Sequence, residues 1–248
     1  MKVVALVSGG KDSCYNMIKC IEDGHEIVAL ANLYPEGRDE LDSFMYQTVG
    51  HEAIEYYAEA VGIPLFRRGI KGKPLNQDME YQENEGDEVE DLLLLLKEIK
   101  DSGVDFSGIS VGAIHSNYQR IRAESVCSRL GLKMLCYLWG RNQEQLLQEM
   151  IDHGLSAVLV KVAVIGLDKT HLGMNLKQVQ PTLLKLKEKF GINVCGEGGE
   201  FETLTTDCCL FKKRLVIKQR EVICHSNDAF APVSYLKPLE IVLEDKQV

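Results

Sequence analysis

Nowhere in these 248 residues do eighteen apolar side chains run without interruption, as a helix crossing a bilayer would need, so no membrane partner is expected. Also missing is a basic segment leading into a cleavable apolar stretch. The N-terminus passes at once into an apolar run, and secretion is not expected. Eight cysteines are present (Cys14, Cys20, Cys127, Cys136, Cys195, Cys208, Cys209 and Cys224), but none forms a C-x-x-C pair. That pattern reads as reduced thiols in a cytoplasmic protein, not as disulfides or a zinc site. Positive charge is scarce: 28 Lys and Arg against 37 Asp and Glu leave a formal charge of −9. The electrostatic footprint of a nucleic-acid binder is therefore missing, and no direct nucleic-acid contact is expected. The chain has no internal repeat and no low-complexity tract. With 45% hydrophobic and 26% charged residues, it has enough apolar material for a full core in one or two domains.

The most informative segment is VVALVSGGKDS, residues 3–13. Val3 to Val7 form a continuous apolar run, as in a strand buried on both faces of a parallel sheet. Gly9 and Gly10 let the backbone turn sharply and come close to a ligand. Lys11 supplies a cation. Asp12 or Ser13 can open a helix through Met17, Ile18 and Ile21, whose free N–H groups and positive dipole end suit a phosphate. The segment matches neither the Walker A pattern nor G-x-G-x-x-G. Ser8, Gly9, Gly10, Lys11, Asp12 and Ser13 instead resemble, position by position, the SGGxDS signature of the PP-loop ATP pyrophosphatases. Members of that superfamily cleave ATP between its α and β phosphates, and their loop holds the departing pyrophosphate. The resemblance gives these six residues the nucleotide-binding role.

The first half alternates strand and helix. Strands are expected over 26–33, 63–66, 104–111 and 132–138. The apolar spacing over 43–61 predicts a helix after a polar loop through Arg38 and Asp42. Asp87 with Glu90, and Ser116 with Gln119, read as capping boxes opening two further helices. Residues 71–85 are polar and read as a mobile surface loop. The expected fold is α/β, with a five-stranded parallel doubly wound sheet of adenine-nucleotide α-hydrolase type. Ligands in such sheets bind beyond the carboxyl ends of the strands, where strand order reverses. That draws Asn32 and Gly112 to the same end as Ser8. From residue 138 the pattern changes, with helices near 142–152 and 176–190, an apolar run over 157–165 broken only by Lys161, and strand-like alternation beyond 210. The expected division is a nucleotide-binding domain over 1–137 and a smaller α+β domain over 138–248 that covers the site.

Two further segments carry candidate chemistry. In GAIHSNYQRIR (112–122), Gly112 and Ser116 are placed to approach a nucleotide, and Arg120 or Arg122 to reach phosphates; an ordinary capped helix with solvated arginines is the alternative. In GEGGEFET (196–203), glycines frame Glu197, Glu200 and Glu202. Such acids can hold Mg²⁺, receive protons from an amine, or attract a cation, or else form a solvated turn. Cys195 beside them reads as a packed thiol. Trp139 reads as a core or interdomain residue, or as an aromatic wall for a quaternary ammonium.

Taken in order, SGGKDS (8–13), GDEVEDL (86–92), GAIHSNYQR (112–120), LW (138–139) and GEGGEFET (196–203) resemble the diphthine–ammonia ligase family across the whole chain. The resemblance implies ATP-dependent amidation of diphthine on translation elongation factor 2 by ammonium, through an acyl-adenylate, releasing AMP and pyrophosphate. It implies catalytic roles for Lys11, Asp12, Glu197, Glu200 and Glu202, and nucleotide binding by Ser8 to Ser13, Asn32, Gly112, Ser116 and Arg120. Mg²⁺ would accompany ATP, with Asp12 as its ligand or only as a helix cap. A PP-loop tRNA modifier would need a basic surface and paired reactive cysteines. A non-catalytic nucleotide-binding regulatory module would share the sheet but would not release pyrophosphate.

Overall fold

The computed structural model describes residues 1–37, 43, 45–78, 80–226, 228 and 230–246. β1 (Lys2–Leu6) is the apolar run at the N-terminus, and Val3, Val4 and Ala5 are wholly buried in it. Beside it lie β2 (Glu26–Pro35), β3 (Leu65–Ile70), β4 (Gly108–Ser110) and β5 (Lys133–Leu135). All are parallel, in the order β3-β2-β1-β4-β5. The order reverses between β1 and β4, so a crevice opens beyond their carboxyl ends. This is the α/β sheet expected for a PP-loop protein.

On one face of the sheet pack α2 (Glu88–Asp101) and α3 (Asn117–Leu130). On the other, α1 (Lys11–Glu22) packs with α4 (Gln143–Asp152), α5 (Leu176–Phe190) and a second sheet, in one continuous apolar core. That second sheet is antiparallel, built from β6 (Ser156–Val162), β7 (Phe201–Asp207), β8 (Lys213–Ser226) and β9 (Val233–Asp245) in the order β7-β6-β9-β8. A shared core holds the second unit against α1 and therefore against the loop that starts it. Tyr15 of α1 donates to Glu149 of α4 at 2.6 Å, and Arg141 pairs with the same carboxylate. Those contacts hold the Glu149 carboxyl well below its ordinary range, at about 2.

Several local expectations are corrected. Residues 43–61 do not form one helix. Gly50 adopts φ +76° and starts a 3₁₀ segment, His51–Tyr56, which leads into a π-turn, Ala58–Gly62. Ahead of it, the Ser43 hydroxyl accepts from Met45 and Tyr46 N–H and donates to Glu88. This local competition with helical bonding leaves 45–49 outside any helix, with Met45, Tyr46 and Gln47 lining the crevice. Phe44 and the polar loop through Arg38 and Asp42 lie outside the described residues. β4 and β5 are shorter than expected, because pairing needs a neighbour along the whole run and here lasts three residues in each. β3 is shifted toward the C-terminus, to Leu65–Ile70.

The polar stretch after β3 is tethered along its length. Asp91 accepts from Lys71 and Gly72 N–H, both at 2.8 Å. Asp87 accepts from Leu75, Asn76 and Val89 N–H. Arg122, fully buried, donates to the carbonyls of Asn76 and Asp78 and stacks on Tyr118. Gly72 is obligatory here, since a Cβ would lie 2.5 Å from the Asp87–Glu88 backbone. The acids of GDEVEDL thus hold a strap, and Glu90 is bound by Arg129 and Tyr81 in place of a reciprocal cap.

Candidate active site

A cleft of about 590 Å³ opens where β1, β2 and β4 end, within the range of small-molecule sites. Its floor carries Ser8, Lys11, Asp12 and Ser13, while Gly9 and Gly10 shape the turn without lining the cleft. Its far wall is the GEGGEFET segment of the second unit, and its sides carry Met45, Gln47, Ser116 and Tyr118.

Gly9 sits at φ +88°, where an L side chain is strained and a Cβ would strike Ile54 at 2.3 Å. The Gly9 carbonyl accepts from Thr205 N–H of β7 at 2.7 Å and from the Tyr57 hydroxyl at 3.1 Å. Gly10 caps α1, its N–H donating to the Ser8 hydroxyl and its carbonyl accepting from Ser13. Lys11 N–H donates to the Thr203 hydroxyl at 3.0 Å. The loop is thus braced by β7, roughly 190 residues downstream, and the first turn of α1, with its positive dipole end, lines the cleft through Lys11, Asp12 and Ser13.

Lys11 is 2% exposed. Its ammonium donates to Asp12 at 2.8 Å and to the Cys195 carbonyl at 2.5 Å, and lies 5.3 Å from the Phe201 ring centre. Burial presses the Lys11 pKa down, but the Asp12 carboxylate beside it outweighs that and holds it above its ordinary value. Burial pushes the Asp12 carboxyl up against the pull of Lys11. Asp12 Oδ1 is buried without a hydrogen-bond partner, an acceptor in want of a cation or a donor.

The three acids opposite separate by role. Glu200 does not line the cleft: Oε1 accepts from the Asn193 backbone and side chain, and Oε2 from Gly198 N–H, so it folds its own turn. Glu197 lines the cleft and accepts from Ile114 N–H at 3.1 Å and His115 N–H at 2.8 Å, joining the far wall to the β4 exit. Burial raises its carboxyl, with those amides opposing. Glu202 also lines the cleft, opposite Lys161 of β6, whose ammonium lies 3.5 Å from Oε1. Glu200 lies one residue before β7 begins and does not line the cleft, whereas Glu202 lies within the strand and does.

Asn32, 2% exposed, spends both ends of its amide on the framework. Nδ2 donates to the Val7 carbonyl at 2.9 Å, and Oδ1 accepts from Arg67 at 2.9 Å. Gly112 packs against the start of α1, where a Cβ would lie 2.7 Å from Ser13 N and 2.8 Å from Asp12 C. Ser116 caps α3 and lines the cleft. Arg120 lies outside the cleft lining, paired with Glu124 and stacked 4.8 Å from the Trp139 ring. That stacking occupies one face of Trp139. Cys195 is a packed thiol: burial raises it to about 12, and it donates to the Gln143 carbonyl. Among the described residues, no group of three or more His, Cys, Asp or Glu is arranged to hold a metal.

Sequence reasoning missed Tyr57, Gln47 and Thr203. Tyr57 donates to Gly9 and Thr205 carbonyls, and Gln47 Nε2 to the Thr203 carbonyl. Their partners lie up to 192 residues away, and no local pattern announces them. Tyr57→Phe takes the hydroxyl donor from the Thr205 carbonyl, while the Gly9 carbonyl keeps Thr205 N–H, so it should cost about 1–3 kcal/mol. Calorimetry should show a Tm lowered by several degrees; an unchanged Tm would mean the brace is not formed.

The chain matches the family model described as the diphthamide synthase N-terminal domain over residues 1–134, and that of the diphthamide synthase C-terminal domain over 142–237. It is 59% identical to the Bos taurus protein named diphthine–ammonia ligase, over 99% of this chain and 94% of that one. The same figures hold for the Homo sapiens protein of that name. The Schizosaccharomyces pombe protein so named is 52% identical over 99% of this chain, which spans 40% of that protein. Similarity at this level along the whole chain makes it a member of the diphthamide synthase family of ligases.

Proposed function

We propose that this chain uses ATP and ammonium to amidate the diphthine carboxylate of translation elongation factor 2, forming an acyl-adenylate and releasing pyrophosphate and then AMP. The observation that carries this reading is the loop Ser8–Ser13, a glycine turn capping α1 at the switch point of the sheet, with buried Lys11 in its first turn. A carboxylate oxygen of diphthine attacks the α-phosphorus. The bond to the bridging oxygen breaks, and pyrophosphate departs into the loop N–H groups and the Lys11 ammonium, which are preorganised where charge develops. The nitrogen of ammonia then attacks the acyl carbon, and the carbon–oxygen bond to AMP breaks.

Glu202 is the carboxylate best placed to take a proton from ammonium. Glu200 is committed to its turn and Glu197 to the 114–115 amides. Mg²⁺ carried on the phosphates would neutralise their charge, and Asp12 would hold it through Oδ1; a single protein carboxylate with phosphate and water ligands is ordinary for this ion. Residues 1–137 supply the nucleotide site and 138–248 the wall facing the acceptor. The charge of −9 suits a cationic protein target better than nucleic acid, and the work belongs in the cytoplasm. ¹⁵N-ammonium should appear in elongation factor carrying diphthine only when the chain and ATP are present. Incorporation from labelled glutamine with ammonium excluded would contradict the nitrogen source.

A further inference from the structure

Lys161 is the one charge in the β6 run SAVLVKV, between Val160 and Val162, both wholly buried. An ionisable side chain in such a strand needs a reason. Its position is set by the ladder: Lys161 is the register partner of Glu202 on β7, and the pairing is irregular between Leu159 and Lys161. Such irregularities re-aim side chains. The ammonium lies 3.5 Å from Glu202 Oε1, with side chains 16% and 19% exposed. The cleft that Glu202 lines also contains the carboxyls of Asp12 and Glu197 and the ammonium of Lys11, and Tyr235 of β9 is the register partner of Lys161 on the other side.

We propose that Lys161 is a positioning residue that holds the Glu202 carboxylate toward the cleft, so that Glu202 can take a proton from the incoming ammonium. This rests on the amidation reading above. A carboxylate tethered to a neighbouring ammonium loses the freedom to swing away from the point where the nucleophile arrives. In the step itself, one N–H bond of ammonium breaks, and its proton joins a Glu202 oxygen. The freed lone pair forms the C–N bond as the acyl C–O bond breaks, and its electron pair leaves on AMP. The second surplus proton on nitrogen passes to solvent.

The test compares two nucleophiles. Hydroxylamine is already unprotonated at neutral pH and needs no base to become reactive. Lys161→Met should lower kcat/KM for ammonium about tenfold or more by letting the carboxylate move off its position, while hydroxamate formation with hydroxylamine changes less than twofold. Lys161→Arg should restore the ammonium reaction. Equal losses with both nucleophiles, or no loss with ammonium, would overturn the proposal; Lys161→Gln serves as the second variant if the Met form does not fold. A wild-type chain that makes neither amide nor hydroxamate would sink the amidation reading itself, which is a different failure.

Discussion

Lys11→Met is expected to slow pyrophosphate release by about a thousandfold. A cation about 4 Å from a phosphate oxygen contributes roughly 4 kcal/mol at an effective dielectric near 20, and that attraction strengthens as the leaving group gains charge. The substitution keeps the length of the side chain, so Phe201 should still pack against it. It also removes the donor to Asp12 and to the Cys195 carbonyl. Breaking a buried pair costs about 3–5 kcal/mol when the remaining charge stays uncompensated. Part of that loss should vanish in Lys11→Met/Asp12→Asn, where no buried carboxylate is left over. Steady-state assays of pyrophosphate, together with calorimetry on both variants, separate the two effects. A single variant that keeps more than a tenth of wild-type turnover would mean Lys11 is a structural tie between the two sheets and takes no part in the chemistry.

Gly112→Ala should disable the site by displacing the backbone beneath it. The new Cβ would lie 2.7 Å from Ser13 N and within 2.9 Å of Asp12 C and O. Those are backbone atoms, so relief comes only by moving the first turn of α1 or the exit of β4. Overpacking of this kind costs about 1–3 kcal/mol. Because the displaced atoms carry the N–H groups meant for phosphate, ATP affinity should fall at least about tenfold for each 1.4 kcal/mol lost there. Gly10 offers the contrast: its Cβ would meet the end of the Gln47 side chain, which can swing aside. Titration calorimetry with ATP reads the effect directly. Affinity within twofold of wild type for Gly112→Ala would show that the loop is not held by this contact.

What the sequence made legible was local. The run from Val3 to Ser13 specifies strand, turn and helix start within a dozen residues, and helix 176–190 is bounded by Asn175 and Gly191, a capping box and a left-handed stop. The order of βα units was enough to place Ser8, Asn32 and Gly112 at one end of the sheet. What stayed hidden depends on contacts between distant residues. Lys11 and Cys195 are 184 residues apart, and nothing near either tells that one binds the other. GEGGEFET could be recognised as a unit, yet that Glu197 and Glu202 line the cleft and Glu200 does not follows from the Asn193 and Gly198 donors that claim Glu200. Arg120 shows the same limit: its spacing suited a phosphate, but Glu124 and Trp139 hold it outside the cleft. Residues 43–61 had helical spacing, and the positive φ of Gly50 with the Ser43 hydroxyl overruled it.

The central claim is that the turn after β1 holds the β and γ phosphates of ATP as one leaving group. ³¹P NMR of a reaction containing ATP, ammonium and elongation factor bearing diphthine identifies the products directly. The account predicts AMP and pyrophosphate in equal amounts, both dependent on the acceptor. ADP with orthophosphate would contradict it.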